Sequence, residues 1–178
     1  MVRLVFAVLA LLVLTRVAPA EEDNGPALVD LFVKTCALRP LLPSEMERIA
    51  SGLGFVSDGS PISADMETAS RIDILYMAEL KKRGEKIASL TAYFDGPAGG
   101  LTVTCSVTAT GVSADSLPSL IEKSLNARDR IEKAPDNDRR MANWRMGAPG
   151  DDEKLEMSAR RNSPRRASIT IEYRGHKR

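Results

Sequence analysis

The chain has 178 residues, of which 43% are hydrophobic and 28% are charged, and its 25 Lys and Arg nearly balance its 24 Asp and Glu. This length fits a single domain, and the composition excludes collagen, a polyampholyte tail and a multi-span membrane protein. One His and two widely separated Cys argue against zinc fingers, CxxC redox centres and His-dependent catalysis.

Residues 1–20 have the three parts of a secretory signal peptide. Arg3 precedes an apolar run, Leu4–Leu14, and the small residues Ala18 and Ala20 follow it. The run is shorter than the roughly 20 residues that a membrane-spanning helix needs, which argues against an N-terminal membrane anchor. We therefore expect cleavage after Ala20 and a periplasmic or secreted protein that has no transmembrane segment once the signal is removed.

The first half of the exported chain predicts two helices. Residues 21–26 are acidic and small and predict a flexible leader, whereas Pro26–Ala37 carries apolar side chains at helical spacing. Ser44–Glu47 matches the capping box of a second helix. We expect a single domain over residues 27–174.

A connection rich in Ser, Gly, Pro and Asp follows over residues 55–70. The next segment, Arg71–Leu80, fits both a half-buried strand and one face of a helix that ends at Gly84. A strand is favoured slightly, because Lys81–Lys86 then forms a hairpin turn.

The remaining chain predicts strands around one helix that Asp115 caps. The strands are Ile87–Phe94, Leu101–Ala109, Met141–Met146, Lys154–Arg160 and Ala167–Arg174. This order predicts an α+β fold, with an antiparallel sheet of about five to six strands and the two N-terminal helices and one further helix packed on one side. No internal repeat is visible, and residues 175–178 form a basic tail.

The two cysteines predict one disulfide, Cys36–Cys105, because an even number of cysteines in an oxidising compartment usually pairs. The alternative is a catalytic thiolate. That chemistry needs a general base, and the only His is His176, close to the C-terminus. A metal site built from these residues is disfavoured because the ligands are not clustered.

Two segments carry a resemblance to a known group of proteins. They are Lys34-Thr-Cys36 at the end of the first helix and the strand Val103-Thr-Cys-Ser-Val-Thr-Ala-Thr-Gly-Val112. Over residues 28–125 the chain resembles small secreted two-cysteine proteins of alphaproteobacteria. The resemblance implies a Gram-negative periplasm and supports the Cys36–Cys105 pairing, and it implies no activity, substrate or catalytic residue.

Other motifs favour structural roles. The Gly-rich segment Asp95–Gly100 is followed by a strand, so it predicts a hairpin turn and not a phosphate-binding loop. Asp151–Glu153 lacks EF-hand spacing and predicts a solvated loop. No Ser lies in a G-x-S-x-G context. We therefore expect no catalytic residue, no metal site and no cofactor.

The C-terminal third is basic and contains the candidate binding residues. Residues 21–125 carry 9 basic and 15 acidic side chains, whereas residues 126–178 carry 14 basic and 9 acidic ones. Four arginines bracket a predicted turn and form a candidate anion-binding cluster: Arg160, Arg161, Arg165 and Arg166. Arg suits bidentate contacts with phosphate and carboxylate. The competing interpretation is a solvated turn whose charge the acidic half of the domain neutralises.

These observations predict a non-enzymatic binding or interaction module of the bacterial periplasm. A first alternative is an envelope-associated protein that docks on anionic lipid or polymer through the arginine-rich hairpin; a second is an enzyme that uses carboxylates or a hydroxyl. Nucleic acid is not an expected partner for an exported protein.

Overall fold

The computed structural model describes residues 23–40, 42–59, 62, 70–97, 100–134, 138–146, 153–162 and 165–176. The predicted signal peptide and its cleavage point lie outside these residues. Among them, the helices are α1 (Gly25–Lys34), α2 (Pro43–Gly52) and α3 (Leu117–Leu125), and a 3-10 turn spans Cys36–Leu38. None of these helices combines the length and the hydropathy that crossing a membrane demands.

The described residues form one antiparallel sheet of eight strands, in the spatial order β1-β2-β3-β4-β8-β7-β6-β5. The strands are β1 (Val56–Ser57), β2 (Arg71–Lys82), β3 (Glu85–Pro97), β4 (Gly100–Thr110), β5 (Arg128–Glu132), β6 (Arg139–Arg145), β7 (Lys154–Arg160) and β8 (Arg166–His176).

The prediction of five to six strands is therefore wrong. The two edge strands, β1 and β5, account for the difference. β1 has only two residues, and all five residues of β5 are exposed, so neither strand shows the apolar alternation by which a strand is recognised. By contrast, the strand interpretation of Arg71–Leu80 is confirmed, since β2 covers it completely.

Two helix starts also differ from the prediction. The Glu45 carboxylate accepts a hydrogen bond from the backbone N–H of Leu42 at 3.3 Å, so the cap of α2 lies at Leu42 and not at Ser44. Helix α3 begins at Leu117 with Ser116, not Asp115, at its cap position. Pro43 and Pro118 occupy the first turns of these helices, where a missing N–H costs no hydrogen bond.

The three described helices cover the same face of the sheet. Alternate residues of β4 are fully buried, and Cys105 at its centre pairs with Ala92 of β3 and Ile171 of β8, which are buried as well. Helix α1 contacts β4 and α3, and α2 contacts β2 and β3. Trp144 of β6 is buried on this same face and donates a hydrogen bond to Glu122 of α3 at 3.1 Å. No described element covers the other face of the sheet.

The order of elements repeats. A helix followed by a four-stranded meander occurs first as α2 with β1–β4 and again as α3 with β5–β8. The two meanders join through their last strands, β4 and β8, which pair antiparallel along their full length. The order of the described elements is therefore similar in the two halves, although no sequence repeat accompanies it.

The predicted disulfide is confirmed. Cys36 and Cys105 are bonded and fully buried, and the bond joins the turn after α1 to the central strand β4. It closes a loop with a sequence separation of 69 residues. The bond thus fixes the first helix on the middle of the sheet.

Removing this bond is expected to destabilise the protein strongly. The variant Cys36→Ala/Cys105→Ala should lose about 4 kcal/mol in the free energy of unfolding, because the unfolded chain regains the freedom that the closed loop had removed. Urea unfolding of the oxidised protein and of the variant measures the difference. Reduced wild-type protein is the control for the small cavities left by Ala and should show a similar loss. A loss below about 1 kcal/mol in both would contradict the expectation.

Candidate anion-binding site

The face of the sheet opposite the helices, hereafter the open face, is rich in hydroxyl groups at its centre. β4 contributes four half-buried hydroxyl side chains, and β8 contributes two: Thr102, Thr104, Ser106, Thr108, Ser168 and Thr170. The hydroxyl of Thr170 donates a hydrogen bond to that of Ser106 at 2.9 Å. The centre of the open face therefore carries mainly hydroxyl groups, with the carboxylate of Glu172 opposite Thr104.

One corner of the open face carries a row of arginines, hereafter the arginine row: Arg139, Arg160 and Arg166. Arg139 of β6 and Arg160 of β7 are direct cross-strand partners. Arg160 and Arg166 flank the last residue pair of β7 and β8, Ala159 and Ala167. Because those two alanines are buried and successive side chains alternate, both arginines lie on the open face, and all three are exposed.

The arginine row lines a shallow, open depression of about 240 Å³. Its other lining residues include three that bear hydroxyl groups: Thr108, Ser158 and Ser168. Guanidinium groups present paired N–H donors, and hydroxyls can add single donors, so the depression offers several donors to the oxygens of one anion. This combination suits a phosphate or carboxylate group.

Among the described residues, no carboxylate forms an ion pair with any arginine of the row. The neighbouring Arg140 differs, because its guanidinium pairs with Glu132 at 2.6 Å and donates to the carbonyl of Ala114 at 3.3 Å. Arg140 therefore ties β6 to β5 and to the chain before α3, whereas the charge of Arg139 is free to bind a ligand.

The structure separates the four arginines that the sequence singled out. Arg160 and Arg166 belong to the arginine row, whereas Arg161 and Arg165 lie near other residues. The hydrogen bond from Arg140 lowers the pKa of Glu132, and the charges of Arg130 and Arg161 add to this effect, so Arg161 lies near that carboxylate. Arg165 lies near Asp23 and helps to lower its pKa.

Sequence reasoning missed Arg139 as a member of this site. The available signal is the strand period, since Arg139 precedes the buried Ala142 by an odd number of residues and so belongs to the outward set of β6. That signal places it on the open face but does not identify β7 as its neighbour. The strand order supplies the missing step.

The other motifs have no ligand-binding geometry among the described residues. These residues contain no cluster of three His, Cys, Asp or Glu side chains suited to hold a metal ion. At the Gly-rich segment, β4 begins at Gly100 immediately after the β3–β4 turn, as a hairpin requires. Asp151 and Asp152 lie outside the described residues. Comparisons with family models, curated proteins and solved structures found no match to this chain.

Hydrogen bonds to Asp23 hold the start of the described chain in place, close to Arg165. Its carboxylate accepts hydrogen bonds from the backbone N–H groups of Gly25 at 3.0 Å and Ser113 at 2.8 Å, and from the Ser116 hydroxyl at 2.6 Å. Burial acts to raise the pKa of Asp23, but these hydrogen bonds and the charge of Arg165 outweigh it, so the pKa lies below its ordinary value.

The lowered pKa makes stability depend on pH in a defined direction. A depressed carboxyl pKa stabilises the fold above the ordinary Asp value of about 4, and this contribution is lost as pH falls through the folded-state pKa. Asp23→Asn should therefore cost about 1–2 kcal/mol at pH 7, and the difference from wild type should shrink at pH 3. Urea unfolding at both pH values measures it.

The control is Asp58→Asn, which changes an exposed carboxylate outside this network. We expect it to have little effect at either pH. A destabilisation by Asp23→Asn that is equal at pH 7 and pH 3 would contradict the assigned role of the ionised carboxylate.

Proposed function

We propose that this protein is an exported, non-enzymatic binding module of the Gram-negative periplasm that holds phosphate-bearing components of the cell envelope in the arginine row. One observation carries the proposal: Arg139, Arg160 and Arg166 stand side by side and exposed on a sheet face that no described helix covers, and no carboxylate of the described residues pairs with them. The leader-like residues 1–20 and the disulfide support export to an oxidising compartment.

The chemistry of the depression favours a phosphate group. Phosphate presents three acceptor oxygens that diverge, which matches donors arriving from three adjacent strands. Exposed side chains bind each such group weakly, because solvent screens the charges. A site of this kind therefore suits a phosphate on a polymer or a lipid surface, where many groups are presented together.

The arginine row is tested with tripolyphosphate as the probe. We expect Arg139→Ser/Arg160→Ser/Arg166→Ser to weaken binding at least about tenfold at low ionic strength, since three charge-assisted contacts are lost. The affinity is measured by calorimetry, and the binding site is mapped from the shifts of backbone amide NMR signals. Wild-type binding should weaken as salt is added.

The matched control removes the same charge from exposed arginines at the opposite edge: Arg128→Ser/Arg145→Ser/Arg174→Ser. We expect this variant to bind tripolyphosphate within about twofold of wild type, because contacts beyond the Debye length of about 10 Å are screened. If both triple variants weaken binding equally, the protein binds anions through its overall charge, and the assigned site is incorrect.

Export has its own test. When the protein is expressed with residues 1–20 in a Gram-negative host, we expect it in the periplasmic fraction. Its mass should be that of a chain whose first residue is Glu21, and it should contain no free thiol. Mass spectrometry before and after alkylation measures both properties. Uncleaved protein with two free thiols in the cytoplasm would remove the basis for a periplasmic role.

A further inference from the structure

A second basic cluster lies on the same edge of the sheet as the arginine row. The hairpin of β2 and β3 turns there through Arg83 and Gly84. Lys82 and Glu85 are the last cross-strand backbone partners before this turn. In the antiparallel sheet this turn, the last residue of β4 and the first residue of β8 all fall at one edge. We call this row of strand ends the basic edge, which is distinct from the edge strands β1 and β5. Its cations are Lys82, Arg83, Arg166, Arg160 and Arg139.

The surface between the two clusters is continuous. A second open depression, of about 200 Å³, lies between them and is lined by Lys86 of β3 and Arg166 of β8. Thr108 and Arg166 line both depressions, so one joins the other across the open face. From β2 to β6 there are five strand spacings, a width of about 24 Å.

Carboxylates along this edge neutralise only part of the charge. Glu79 pairs with Lys81 and Lys86, and Glu85 and Asp138 lie close by in the chain. Within the described residues, neither Lys82 nor Arg83 forms an ion pair. Five cations of the basic edge therefore remain to meet an external anion.

Arg83 occupies a backbone conformation that an arginine rarely adopts. Its φ is 54°, and Gly84 follows with a φ of 85°, which together define a two-residue turn of the type that favours Asn-Gly. An Arg at the first position of this turn is less favourable than Asn. The turn places the side chain of Arg83 at the tip of the β2–β3 hairpin.

The start of the described chain also leaves the domain at this edge. The backbone N–H of Asn24 donates to the carbonyl of Gly111, directly after β4, at 3.0 Å, and the N–H of Gly111 donates to Arg165, directly before β8, at 2.8 Å. The N-terminal end of the described chain therefore lies on the side of the molecule where the cations gather.

We propose that the basic edge docks on the surface of an anionic phospholipid bilayer, with both basic clusters in contact with headgroup phosphates. The inference rests on the proposed function and extends it, because a width of about 24 Å with cations at both ends fits a planar array of phosphates and not one small anion. The surface of an anionic bilayer is such an array.

The test combines two probes and one variant of the distant cluster, Lys82→Ser/Arg83→Asn. With vesicles of phosphatidylglycerol and phosphatidylcholine, co-sedimentation should weaken about tenfold to thirtyfold, from two lost contacts with an anionic surface. Tripolyphosphate affinity should stay within about twofold of wild type, because the arginine row is intact. The melting temperature should not fall and is expected to rise, since Asn-Gly favours this turn.

The matched control is Arg145→Asn/Lys154→Ser, which removes two exposed cations from the opposite edge and should leave vesicle binding within about twofold of wild type. If the Lys82→Ser/Arg83→Asn variant binds the anionic vesicles as tightly as wild type, docking through the basic edge is incorrect. The same holds if wild type binds pure phosphatidylcholine vesicles as tightly as anionic ones. Neither result would contradict anion binding by the arginine row. If Arg139→Ser/Arg160→Ser/Arg166→Ser binds tripolyphosphate no more weakly than the control variant does, the proposed function itself is incorrect.

Discussion

Strand alternation, kept in register across six adjacent strands, is the constraint on which this structure depends. Apart from the register shift between Leu80 and Lys81 of β2, every second side chain of these strands points to the helices. The register makes Cys105, Ala92 and Ile171 neighbours on that side. A shift of one residue in any pair would expose a core row and bury a row of hydroxyls or arginines. The core, the disulfide and the arginine row therefore all follow from one register.

The same constraint explains how a single sheet keeps one face open without an apolar surface at its centre. Small hydroxyl side chains occupy the outward positions of β4 from Thr102 to Thr108 and two outward positions of β8, Ser168 and Thr170. These two strands lie at the middle of the sheet. Thr and Ser are neutral, and Thr also favours a strand, so the centre of this face tolerates contact with solvent. Charged side chains lie at the strand ends and next to this centre, where Glu172 is opposite Thr104 and Glu156 is opposite Thr170.

The sequence predicts the central strands and the disulfide well, and the edges poorly. Ile169, Ile171 and Tyr173 alternate with polar residues, so β8 is recognisable, and β7 occupies the predicted bounds Lys154–Arg160. β5 has no buried residue, so its pairing with β6 leaves no trace in local pattern. Local signals report burial and turns, but not which strand becomes the neighbour of which.

The candidate site shows the same division. Arg160 and Arg166 are near each other in the chain, so a predicted turn was enough to associate them. Arg139 and Arg83 reach the same edge only through strand order, and no spacing in the sequence connects them.

The pairing of β4 with β8 also determines the order in which the fold can be completed. A chain that emerges from its N-terminus delivers β4 well before its partner β8, which is the last of the described strands. Such non-local pairing slows folding, because a long segment must be ordered before the contact forms. Oxidation of Cys36 and Cys105 needs only the first half, so the bond can hold β4 against α1 as a template on which the last strand closes the sheet.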